Sequence, residues 1–146
     1  MKNSKMILMQ LLNCQKGDNN MGNICNYEMR VIGEKKLVKE FITTLQDIYG
    51  NHYVDFDDAW FLEDERYVAV IFGGCNWSVW SSMISNKNPD IISESRRLSL
   101  EIEIISTEEG CDLSEYYLIK NGIMMEEKTG MYNDSFNFSF LSDNYD

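Results

Sequence analysis

Apolar and polar positions along the chain fall into stretches of period two and stretches of helical period. Residues 23–32, NICNYEMRVI, alternate with Ile24, Met29 and Val31 among their apolar positions, which predicts a first strand ended by Gly33. Over residues 34–49 the apolar side chains Leu37, Val38, Phe41, Ile42, Leu45 and Ile48 recur at helical spacing. Lys35, Lys36, Lys39 and Glu40 occupy the opposite side, and Gly50 sits where a C-cap belongs. A loop through His52 and Asp55-Phe56-Asp57-Asp58 is expected next, then two strands at 59–62 and 67–72 joined by Glu63-Asp64-Glu65-Arg66. The second of these, YVAVIF, has the continuous apolar character of a central strand, and Gly73-Gly74 end it.

Further on, Trp77, Trp80 and Ile84 stand three and four residues apart, which predicts a short helix within 75–85. Asn88-Pro89 interrupts, and residues 91–98 resume as helix. Residues 99–106, SLEIEIIS, alternate strictly, with Glu101 and Glu103 on one side and Leu100, Ile102 and Ile104 on the other. Asn121-Gly122 between Tyr116-Tyr117-Leu118-Ile119-Lys120 and Ile123-Met124-Met125-Glu126-Glu127 is the signature of a two-residue hairpin turn. Phe136, Phe138 and Phe140 alternate in the tail, as a last strand would. Two helices separated by a hairpin and flanked by strands predict an α+β fold. The arrangement expected is a ferredoxin-like split β-α-β-β-α-β antiparallel sheet with helices on one face and an extra C-terminal hairpin. A plain α+β sheet with other pairing is the alternative.

The chain has 146 residues, a single-domain length, and 24 acidic against 13 basic side chains give a net charge of −11. Such acidity argues against a protein that grips nucleic acid by its phosphates or docks on anionic lipid. No apolar run approaches the ~20 residues that span a bilayer. Cys14, Cys25, Cys75 and Cys111 form no C-x-x-C pair and His52 is the sole histidine, so no zinc pattern is present. The spacings suggest no disulfide framework either, and four reduced thiols in a cytoplasmic protein are expected. A catalytic couple of Cys25 or Cys75 with His52 is the rival reading. No Ser–His–Asp set, P-loop or G-x-G-x-x-G occurs, which points away from an enzyme.

Residues 1–20 resemble a secretion signal only superficially: the apolar stretch is short, is broken by Gln10 and lacks a small-residue cleavage site. Lys16-Gly17-Asp18 can be encoded with a GGAG ribosome-binding core about eight nucleotides before the Met21 codon. We therefore expect a non-native or disordered leader at 1–20, a domain at 21–130 and a tail at 131–146. Without the leader, three lysines and one aspartate go and the net charge becomes −13.

Three stretches carry a resemblance. Asn23-Ile24-Cys25-Asn26 through Gly33, leading into a helix with Phe41, is similar to the start of the YubB-type ferredoxin-like domain, which opens on a Trp/Asn-Cys-x-Asn strand and then a glycine. Gly74-Cys75-Asn76-Trp77-Ser78-Val79-Trp80-Ser81-Ser82-Met83 resembles the Cys-Ala-Trp-Ser-Val-Tyr-type segment of its Firmicutes members. Residues 95–103 with Ser106, Glu108, Glu109 and Gly110, then Glu115-Tyr116-Tyr117 and Asn121-Gly122, resemble the segment that ends those domains. The likeness covers residues 21–128. It departs at Glu115-Tyr116-Tyr117, where members often have Glu-His-Tyr, and after Met131, where the tail has no counterpart. The resemblance implies the fold and a setting among phages, plasmids and other mobile elements, and supplies no catalytic residues.

Candidate chemistry centres on acids. Asp55, Asp57, Asp58, Glu63, Asp64 and Glu65 put six carboxylates within eleven residues. They read as a solvated loop, as a divalent-cation module or metal-dependent enzyme, or as part of an acidic face for a basic groove on another protein. Glu101 and Glu103, about 7 Å apart at ~3.3 Å rise per residue, are expected to face solvent. Together with Glu108 and Glu109, they extend the acidic surface, as do Asp112 and Glu115. Trp77 and Trp80 are candidate interface aromatics, read as core or interface packing in preference to a stacking platform. The expectation is a non-enzymatic, cofactor-free accessory protein of a phage or mobile element, binding a host or element protein with a basic surface. A sharper form is an acidic nucleic-acid mimic that inhibits a host defence protein of the restriction or CRISPR kind. A structural domain without a dedicated ligand is a further alternative, and the final hairpin offers an edge for a homodimer.

Overall fold

Alternating strands need partners on both sides, and here six of them share one antiparallel sheet. The computed structural model describes residues 23–134 and 136–138. The expected leader and Phe140 lie outside the described residues. In chain order come β1 (Ile24–Gly33), α1 (Lys35–Asp47), β2 (Tyr53–Phe61) and β3 (Tyr67–Asn76). A π-helical turn (Trp80–Ile84), α2 (Ile91–Leu98), β4 (Glu101–Glu108), β5 (Leu113–Lys120) and β6 (Ile123–Gly130) follow. The sheet order is β2-β3-β1-β4-β5-β6, every neighbouring pair antiparallel. The fold is therefore α+β, with β2 and β6 at the edges.

Both helices and the π-helical turn lie on one face. Val38, Phe41 and Leu45 of α1, Met83 and Ile84 of the turn, and Ile91 and Leu98 of α2 pack with Cys25, Met29, Val31, Ala69, Ile71, Ile102, Ile104, Tyr117 and Ile119 of the sheet. α2 is short, but both ends are capped. The Asp90 side chain accepts from Ser93 N at 2.7 Å, and Ser99 turns left-handed at φ 55° to end it. Ser95 Oγ accepts from Gly122 N at 2.8 Å, fixing α2 to the β5–β6 turn. That turn has φ 46° at Asn121 and φ 81° at Gly122, as the Asn-Gly pair predicts.

Three boundaries differ from expectation. Residues 55–58 are strand rather than loop, since β2 begins at Tyr53. β3 runs through Gly73-Gly74 to Asn76, because two aromatic rings occupy the space their side chains would take. A Cβ on Gly73 would lie 2.2 Å from the Tyr27 ring, and one on Gly74 would lie 2.3 Å from that of Tyr53. Trp77 is not helical: φ 65° at this residue turns the chain from β3 toward the π-helical turn. Beyond Gly130, residues 131–134 and 136–138 carry no strand. They instead reach the face opposite the helices. There Phe136 lies 6.4 Å from Tyr116, ring centre to ring centre, and Phe138 sits 4.4 Å beneath the Arg30 guanidinium.

Candidate functional site

The most exposed of the strands is β2, an edge whose sequence YVDFDDAWF contains no basic residue. Its pairing with β3 sets the faces. Asp55 is opposite Phe72 and Asp58 opposite Val70, with a register shift between Phe56 and Asp58. Phe72 and Val70 are two residues apart and share a face, so the bulge puts Asp55 and Asp58 on the same side although they are three apart in sequence. Tyr53 and Trp60 join them there, opposite Gly74 and Val68. The helix-side face of β2 carries Phe56, 52% exposed, and Phe61, 58% exposed and edge-on to Tyr67 at 5.2 Å. An acidic stripe thus runs beside exposed aromatic rings, with Lys35 Nζ 5.8 Å from the centre of the Phe61 ring.

The other three acids of the cluster, Glu63, Asp64 and Glu65, are exposed in the β2–β3 turn. The Arg66 backbone N–H, together with its guanidinium 2.8 Å away, holds the Asp64 carboxyl below its usual range. Arg66 also reaches Glu101 at 3.3 Å. Asp58 accepts from Ala59 N at 2.8 Å. Among the described residues, no side-chain bond engages Asp55, Asp57, Glu63 or Glu65. Nor does any group of three or more His, Cys, Asp or Glu among the described residues converge to hold a metal ion. The six carboxylates spread along a strand and a turn instead of closing on a point.

Several acids assigned to that surface lie elsewhere. Glu103, expected to face solvent, has no exposed area and accepts from Tyr116 Oη. It stands opposite Arg30 on β1 and Leu118 on β5, under a face that the tail approaches. Glu108 is also buried. Its carboxylate accepts from Gly110 N at 2.8 Å and from Cys111 N, shaping the β4–β5 turn. Of the acids of that turn only Glu109 and Asp112 are exposed, and Glu101 is partly covered.

Glu115 is the feature that sequence reasoning mistook for surface charge. It is fully buried on the helix side of β5, where its two oxygens accept from Val79 N at 2.9 Å, Trp80 N at 3.0 Å and Ser106 Oγ at 2.7 Å. Tyr117 Oη and, at 3.7 Å, Cys25 Sγ complete the set. One carboxyl group thereby joins β1, β4, β5 and the start of the π-helical turn. The signal available was its place in the alternation of β5: Leu113, Glu115, Tyr117 and Ile119 share one side.

Cys25 and Cys75 are directly opposite each other on β1 and β3, both buried and free. Hydrogen bonding to Cys75, then burial, then the charge of Glu115 push the Cys25 thiol well above its ordinary value. That is the reverse of what a nucleophile needs. His52 is exposed, and its Nε2 lies 2.6 Å from Asn76 Oδ1, so the geometry forms no Cys–His couple. Cys111 is disulfide-bonded, which corrects the expectation of four reduced thiols. Spacing along a chain does not tell which cysteines a fold brings together. Trp77 and Trp80 are both partly buried against the core, Trp80 stacked on Tyr117 at 6.4 Å.

No family model, curated protein or solved structure matches the chain. No described helix is long and apolar enough to cross a membrane. The arrangement can therefore offer an acidic and aromatic edge for contact, while its most enclosed polar groups are engaged in holding strands together.

Proposed function

We propose that this protein is a non-enzymatic binding protein of a phage or mobile element, docking through β2 and the β2–β3 turn on a basic surface of a host or element protein. The observation that carries the reading is β2 itself. It is an edge strand with Asp55, Asp57 and Asp58 and no cation, flanked by exposed Phe56 and Phe61. Exposed aromatic anchors beside a row of carboxylates are what a selective protein contact uses. The mobile-element setting rests on the likeness to YubB-type domains. Its ferredoxin-like fold is in keeping with the order β4-β1-β3-β2, with helical segments after β1 and β3. In the sharper version, the acids stand in for a nucleic-acid backbone and block a defence protein. That surface then comprises residues 55–65 with Glu109, Asp112 and the partly covered Glu101, since Glu103, Glu108 and Glu115 are buried.

Capture of host proteins on tagged protein tests this. A basic, nucleic-acid-binding partner should be retained at low salt, elute as salt rises, and be lost with Asp55→Asn/Asp57→Asn/Asp58→Asn. Retention that ignores both salt and the triple substitution would overturn the reading. Calorimetric titration with Mg²⁺, Mn²⁺ and Ca²⁺ addresses the metal alternative: a stoichiometric site of micromolar affinity would replace the binding reading with it.

A further inference from the structure

The two edges of the sheet are not alike. β6 carries both signs of charge, with Lys128 3.5 Å from Glu126, whereas the charged residues of β2 are all acidic. A second copy of β2 laid along this edge would bring carboxylates against carboxylates, so the charge that protects the edge from self-pairing also selects what can add to it. The two faces of β2 set a further condition. Asp55 and Asp58 lie on the side away from the helices, and Phe56 and Phe61 lie exposed on the helix side, where Lys35 stands over Phe61.

Resting on the reading of β2 as the contact surface, we infer that the partner binds by strand addition. An extended segment with basic residues at alternate positions pairs along β2 as a seventh strand. Its Lys or Arg side chains face Asp55 and Asp58, and its intervening apolar side chains cover Phe56 and Phe61. Main-chain hydrogen bonds then supply much of the attachment, and the alternation supplies the selectivity. The bulge at Asp57 matters here, because a regular strand would send Asp55 and Asp58 to opposite faces and no alternating partner would satisfy both.

The test uses the full chain and three synthetic peptides, each as long as the nine residues of β2. One alternates Lys and Val, one has the same composition in two blocks, and one is the alternating peptide N-methylated along one edge. Hydrogen exchange and amide chemical shifts are followed residue by residue. The alternating peptide should slow exchange within β2 and shift Trp60. The block peptide and the N-methylated peptide should not slow exchange there. Asp55→Asn/Asp58→Asn should weaken binding about tenfold, as the loss of two exposed ion pairs of intermediate strength implies. If the alternating peptide leaves β2 exchange unchanged, or the three peptides behave alike, strand addition is wrong. That outcome leaves acid-dependent capture of a basic protein standing, whereas capture insensitive to the acids removes both.

Discussion

At Glu115, burial of a carboxyl group is made tolerable by the number of donors turned toward it, two backbone N–H groups, two hydroxyls and a thiol. Glu115→Ala strands those donors without exposing them. It should cost about 3 kcal/mol or more, read as a lowered urea midpoint at unchanged slope. Glu115→Gln keeps one acceptor oxygen but points an amide N–H₂ at donors, so it should recover only part of the loss. Glu127 behaves oppositely. It faces Tyr117 across the β5–β6 pair, and burial raises its carboxyl above the ordinary value. The folded chain therefore binds the Glu127 proton more tightly than the unfolded chain does. This contribution to stability is full at pH below the ordinary carboxylate range and falls as pH rises through the raised value. Glu127→Gln should remove that fall, gaining on the native protein toward neutral pH by less than about 1 kcal/mol, since the site is partly open to solvent. Melting profiles across acid to neutral pH check it: a difference independent of pH would sink the assignment. Neither role was legible from residue type. The alternation of β5 gave the side on which Glu115 lies, but not the donors that arrive from β1, β4 and the π-helical turn.

Periodicity made the elements readable wherever one face is covered and the other wet. Helices α1 and α2 follow their patterns, and the Asn121-Gly122 turn needs no tertiary information; the alternation of β4 predicts a strand but not the burial of Glu103 on its second face. Reading failed at β2, where three acids in four residues suggest a loop. At an edge, those same acids are tolerated because one side of the strand is left to solvent. It failed again at Gly73-Gly74, which read as a break until the rings of Tyr27 and Tyr53 are seen to fill the space above and below β3. The two glycines should not be equivalent. Tyr27 is buried, so Gly73→Ala forces a ring or a strand to move and should cost about 2 kcal/mol. Tyr53 is 37% exposed and can swing away at the cost of one exposed hydrogen bond from its hydroxyl to Asn26, so Gly74→Ala should cost only about 1 kcal/mol. Equal losses for the two variants in chemical denaturation would mean that ring contact is not what these positions require.

For the whole molecule, the decisive fact is that helices cover only one face of the six-stranded sheet, yet Ile32, Val68, Glu103, Tyr116 and Leu118 on the other face are buried. Neighbouring side chains account for part of this, Trp60 and Leu62 over Ile32 and Val68 for instance. Near β1, β4 and β5 the covering includes residues that follow β6. Phe136 lies against Tyr116, and Phe138 lies under Arg30, the residue opposite Glu103. No local pattern announces such a cover, and this is why the alternation of β4 alone points Glu103 to solvent. The same cover limits where negative charge meets a partner: among the strands, β2 with its adjoining turn holds the densest run of exposed carboxylates, and Glu103 adds nothing to the surface. Phe136→Ala/Phe138→Ala keeps every charge and removes only the aromatic contacts. One tilted ring contact and one partly shielded cation–π contact together should be worth about 1–2 kcal/mol. We expect that loss in urea unfolding, with faster amide exchange along β4 and β5 and unchanged exchange along β2. Capture of a basic partner should survive the double substitution, because the acidic edge lies at the far side of the sheet from the covered strands. Exchange that quickens in β2 as much as in β4 and β5 would show instead that the segment after β6 supports the whole sheet and not one patch of it.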